Sequence, residues 1–146
     1  MAKNEKLEVS EQSDIYNAIC NKLKEHCKIK VQFDSLEKDN ACIGVFSQQG
    51  SVYLKKFITG SFIGLVPCLI VYRSYPKSDA QRMQMIEYIN KLAEWLCKRE
   101  NYPVLAENRE IEKIEQLSAA SRTYAGEDGT TDYAVSIQVK YRKDDD

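Results

Sequence analysis

The chain has 146 residues, with 21 basic against 22 acidic side chains and a net charge of −1. That length suits one domain with a real core, since a chain of about 150 residues buries roughly 70% of its unfolded surface. The near-neutral balance excludes the broad basic patch that grips phosphates, but not a surface past which DNA slides.

The opening "MAKNEKLEVSEQ" is polar and lacks the apolar core of a secretion signal, so residues 1–12 read as a flexible N-terminal segment. One domain is expected over 13–143. "SDIYNAICNKLKEHC" predicts a helix capped by Ser13, with Ile15, Ile19, Leu23 and Cys27 as its apolar stripe. Ile29, Val31 and Phe33 alternate in the manner of a short strand. "ACIGVFS", the turn signal "QQGS" and "VYLKKFIT" then read as a strand, a turn and a strand. Gly60 breaks the run, and "SFIGLVPCLIVYRS" continues it, apolar on both faces and therefore central in its sheet. This apolar run is shorter than the about 20 residues a membrane helix needs, and it contains Gly64 and Pro67, so no membrane partner is expected. Pro67 has no N–H to donate, which predicts a bulge or an unpaired position there.

"YPKSDAQRMQMIEYINKLAEWLCKRENYP" gives the clearest helix. Ser78 and Gln81 have capping-box spacing, and Met85, Ile86, Ile89, Leu92, Ala93 and Leu96 form its buried stripe. Trp95 and Tyr88 lie off that stripe, as edge packing or an interface anchor. "REIEKIEQLS" reads as a strand with Ile111 and Ile114 out of phase. "AASRTYAGEDGTTD" reads as a long polar loop. From Tyr133 to Arg142 the alternation is complete, with Tyr133, Val135, Ile137, Val139 and Tyr141 on one face. Ala134, Ser136, Gln138, Lys140 and Arg142 take the other face, and residues 144–146 form an acidic tail. The order α-βββ-α-ββ indicates an α+β fold: a small, mostly antiparallel sheet with two helices packed on one face.

The sequence offers little chemistry. It has no glycine-rich phosphate motif and a single histidine, His26. Cys20 and Cys27 flank a helix face near His26, a metal reading that loses to cysteine as a small core hydrophobe. Glu127, Asp128 and Asp132 lack the frame of a calcium loop, so a solvated turn is favoured. Glu107, Glu110, Glu112 and Glu115 read as solubilising charges on a strand edge. Lys55 and Lys56 face opposite ways and form no patch. No catalytic, metal or cofactor-binding residue is assigned, and no enzyme is expected.

Three stretches carry a resemblance. "VYLKKFITGSFIGLVPCLIVYRSYPKSDAQ", "EYINKLAEWLCKRENYPVLAENREIEKIEQLS" and "RTYAGEDGTTDYAVSIQVKYRK" resemble, in order and pattern, minor capsid proteins of tailed bacteriophages. The similarity covers about residues 41 to 143 and extends to tail terminators, or tail-to-head joining proteins. It implies a structural protein, made in the host bacterial cytoplasm and then part of the virion. It implies self-association into a ring, with a hexamer as the family's form, that caps the tail tube and meets the head-connector proteins. DNA then passes through the channel without specific binding, and no cofactor comes with the family. On this reading the assembly interface is placed at Arg122, Tyr124, Glu127, Asp128, Asp132, Ser136, Gln138 and Lys140. The loop Ser118 to Asp132 is expected to be mobile alone and to order on assembly, with Tyr124 as anchor. The alternatives are a small α+β ligand-binding domain or enzyme with a tyrosine-walled pocket, and a regulatory protein that binds through a sheet edge.

Overall fold

The computed structural model describes residues 4–106 and 108–145. Two helices, α1 (Val9–His26) and α2 (Asp79–Leu96), accompany seven strands. These are β1 (Lys30–Phe33), β2 (Cys42–Ser47), β3 (Val52–Lys56), β4 (Phe62–Ser74), β5 (Arg109–Gln116), β6 (Ser121–Ala125) and β7 (Thr131–Lys143). The sheet runs β1-β2-β4-β7-β5, with β3 beside the first half of β4 and β6 beside the first half of β7. Only β1 and β2 pair in parallel. The fold is thus α+β and mostly antiparallel.

The centre is the β4–β7 ladder, in register from Phe62 opposite Lys143 to Ser74 opposite Thr131. Opposite residues share a face, so Val66, Cys68 and Ile70 lie beside Val139, Ile137 and Val135. All six are fully buried, and the stripes Ile15, Ile19, Leu23 of α1 and Ile89, Leu92, Leu96 of α2 close over them. Tyr141 also belongs to this face. Its ring lies over Gly64, where a Cβ would come within 2.6 Å of Tyr141 Cε1, so the close approach requires glycine.

Pro67 falls where β2 has ended and β3 has not yet begun on the same edge of β4. Its carbonyl accepts from the Tyr16 hydroxyl (3.3 Å) instead of from a strand, which is the unpaired position the sequence predicts. Ile111 and Ile114 are both buried because a bulge between Ile111 and Lys113 restores the phase. Ser78 caps α2, Gln81 N donating to Ser78 Oγ at 3.2 Å, while the Gln81 side chain reaches one residue past the cap and accepts from Lys77 N.

Two expectations are corrected. The described part of the N-terminal segment is folded. Residues 5 to 7 run along β3, with Tyr53 N donating to Glu5 O and Leu7 N to Ser51 O, and Leu7 is buried. Helix α1 then starts at Val9 with Glu8 at its N-cap and no side-chain cap, four residues before Ser13. The long loop is mostly a hairpin: β6 pairs with β7 from Ser121 opposite Ala134 to Ala125 opposite Thr131. A strand whose five residues are all exposed has no apolar period to reveal it. Of the acidic tail, Asp144 and Asp145 are exposed yet held, Asp144 N donating to Asn108 O and Asp145 N to Ser61 Oγ. Asp146 lies outside the described residues.

Candidate functional site

Both helices pack on one face of the sheet. On the other face the segment 34–40 covers the β2 end, with Leu36 near Gly44 and Glu37 N donating to Cys42 Sγ, so Cys42 and Val71 are buried there. The rest of that face has no covering layer among the described residues. That open face divides by strand. On β2, β3 and β4 it carries Phe46, Val52, Ile63, Leu65, Pro67 and Leu69, all half-buried. On β7 and β5 it carries Ser136, Gln138, Lys140 and Arg142, beside Glu110, Lys113 and Glu115. Both signs mix there: Lys113 stands opposite Lys140, but Lys140 has Glu112 beside it, Lys113 has Glu115 and Arg142 holds Asp144 at 2.7 Å. Ser136 Oγ donates to Gln48 Oε1 at 2.7 Å, so the β2–β3 turn reaches onto this face.

One end of the face is built around Arg73. Its Nε and Nη2 donate to the two oxygens of Asp132 at 2.7 and 2.8 Å, and its guanidinium stands 5.6 Å from the Tyr124 ring centre. The hydrogen bonds that Arg73 donates to Asp132 push the guanidinium's pKa further up, so it stays protonated. The pair ties the end of β4 to the base of the β6–β7 hairpin. Asp132→Ala should therefore weaken folding by about 2 kcal/mol and speed amide exchange across Ser121–Ala125 in particular. Exchange unchanged in that strand would remove the pair's role in the hairpin.

The eight residues expected at an assembly interface fall into separate groups. Ser136, Gln138 and Lys140 share the open face, with Tyr124 at its end, half exposed. Arg122 is exposed but in register with Tyr133, hence on the helix side. Glu127 and Asp128 are at the hairpin tip, where Asp128 Oδ1 accepts from Thr130 N at 3.0 Å. Asp132 is 4% exposed and committed to Arg73, so it is a structural group and not a contact residue. Sequence reading missed Arg73 and the apolar half of the face. The signal for the latter was present: β4 is apolar on both sides, yet only one side meets the helices.

The remaining candidates serve packing. His26 stacks on Trp95, ring centres 3.7 Å apart, and joins the end of α1 to α2, so Trp95 is edge packing. All five cysteines are free thiols, and burial pushes each of them up, Cys68 to about 12. Among the described residues no group of three or more His, Cys, Asp or Glu side chains could hold a metal ion. Lys55 lies over Phe57 while Lys56 pairs with Glu5, as their opposite directions require. Glu107 lies outside the described residues.

A buried charge cluster lies at the β4-start end of the sheet. Glu11, 6% exposed, accepts from Arg109 Nε (3.0 Å) and Nη2 (2.8 Å), Tyr141 Oη (2.8 Å) and Lys143 Nζ (3.2 Å). Burial alone raises the carboxyl, but these three donors outweigh it and hold Glu11 at about 2. Burial, then the bond to Glu11, pushes the Tyr141 phenol up. Arg109 lines hollows of about 480 and 280 Å³, yet its guanidinium is engaged by Glu11 and Asp14. The cluster clamps α1 to β5 and β7.

No protein-family model matches this chain, and no curated protein matches it. No helix among the described residues is long and apolar enough to cross a membrane.

Proposed function

We propose that this chain is a structural protein of a tailed bacteriophage or prophage, similar to tail terminators. Copies form a ring, hexameric in the proposal, that caps the tail tube and meets the head-connector proteins. It is made in the host bacterial cytoplasm and ends at the tail-head junction of the virion. The observation that carries the reading is the open sheet face. A two-layer fold that leaves the middle of one sheet face uncovered among the described residues, with six half-buried apolar residues on it, offers a surface for another protein. The cations on its polar half each have an acidic partner, which suits a wall past which DNA moves without sticking. The resemblance of residues 41 to 143 supplies the kind of assembly.

The test is sedimentation velocity over a wide concentration range, with electron microscopy of the same samples. Rings, or a concentration-dependent shift toward them, are expected, and the protein should cap tails assembled without a terminator. A species that stays monomeric at every concentration and leaves such tails uncapped would overturn the proposal.

A further inference from the structure

The two ends of the sheet differ in shape. At the β4-start end the β3–β4 turn projects beyond the strands. Its backbone is fixed by Phe57 N to Ser61 O (2.9 Å) and Gly60 N to Phe57 O (3.0 Å), with Gly60 at φ 97°. The tip residue is Ile58, and it is completely exposed. A rigid turn that carries a bare isoleucine pays folding no return, because the side chain buries nothing in its own chain.

The opposite end holds a matching hollow. A cavity of about 410 Å³ opens between the end of α1, the end of β4 and α2, walled by Cys27, Ile29, Tyr72, Tyr88 and Leu92. Its wall is mostly apolar, and Tyr72 and Tyr88 pack against each other in that wall, ring centres 4.8 Å apart. From Phe62 to Tyr72 the extended strand advances about 33 Å, so Ile58 cannot reach this hollow within one chain. Lys55 and Arg142 lie over Phe57 at the base of the turn, but the charge at its Gly60 is a carboxylate, while the charges at the hollow are basic. Asp145 lies beside the turn, held by Ser61 and close enough to crowd Gly60, while Asp144 is already paired with Arg142. Lys28 and Lys91 line the mouth of the hollow, both exposed and, among the described residues, without an ion-pair partner.

We infer that a second copy of this chain fills the hollow: Ile58 of one subunit seats between Ile29, Tyr72, Tyr88 and Leu92 of the next, and Asp145 meets Lys28 and Lys91. The contact joins unlike surfaces, head to tail. Such a contact propagates until its rotation closes, and so builds a ring. The inference rests on the reading of the chain as a ring subunit and names the surfaces by which it closes. The turn is already ordered, so little entropy is lost on seating it.

The geometry provides its own probe, because Cys27 lies in the wall of the hollow. In the full chain, Ile58→Cys under a mild copper–phenanthroline oxidant should give a disulfide-linked ladder on a non-reducing gel. Adding Cys27→Ser should remove at least ten-fold of it, while circular dichroism shows both variants folded. Ile58→Asp, with no new thiol, should shift sedimentation of the wild-type assembly to monomer. If the parent forms rings but Ile58→Cys gives no Cys27-dependent ladder, this contact is wrong and the ring reading survives. If neither rings nor ladder appear at any concentration, both fall. Oxidation traps weak encounters, so absence of the ladder is decisive.

Discussion

Replacing Glu11 by alanine is expected to remove about 3–5 kcal/mol of folding free energy, the cost of breaking a buried ion pair from one side. The Arg109 and Glu11 side chains are 7% and 8% exposed, so the guanidinium left behind stays largely out of water. Tyr141 loses the acceptor for its hydroxyl in the same step, and it is fully buried. Glu11→Gln keeps an acceptor and a donor but not the charge, and should fall between parent and alanine variant. Urea unfolding at neutral pH measures both. The same group sets an acid dependence. In the folded chain the carboxyl is held at about 2, below its ordinary 4.5. Its stabilisation is therefore complete above about pH 5 and is lost as the pH falls from 4.5 toward 2, by about 3 kcal/mol in total. Glu11→Gln should flatten that part of the curve. A parent whose stability is level between pH 5 and pH 2 would show that the cluster does not clamp the helix, even if the alanine variant fails to fold.

How much of this was legible depends on where each interaction's partner lies. The final strand was readable because burial is one-sided there and the side-chain period is two, so Val135, Ile137 and Val139 separate cleanly from Ser136, Gln138 and Lys140. The second helix was readable for the same reason at period 3.6, and its cap is local. The first helix was mis-started because Glu8 contributes no cap bond and Glu11 is stabilised from 98 to 132 residues away. Nothing near Glu11 in the sequence distinguishes it from a solvated glutamate. Strand β6 was hidden because it is held by its main-chain ladder to β7 and by Arg73 gripping Asp132, contacts that leave no apolar signature. The candidate face was half legible. Its polar half follows from alternation, but its apolar half required knowing that both helices lie on the same side.

Ile137 and Gln138 are neighbours in β7 and should respond in opposite ways. Ile137 is fully buried, opposite Cys68 on β4 and Gln116 on β5, under the helices. Ile137→Ala should cost about 2–5 kcal/mol, through lost burial and the cavity left in a core that is pinned on both sides. Gln138 lies on the open face, opposite Pro67 and Glu115. Gln138→Arg there should change folding by no more than about 0.5 kcal/mol, as substitutions outside a packed site do. If that face meets another protein, the same arginine places a desolvated charge in the contact and should abolish ring formation or tail capping. Thermal melting and sedimentation on the pair separate the two roles. An Ile137→Ala protein that melts with the parent would undo the assignment of the core. A Gln138→Arg protein that assembles and caps tails as the parent does would take the open sheet face out of the interface and leave its apolar half without a purpose in assembly.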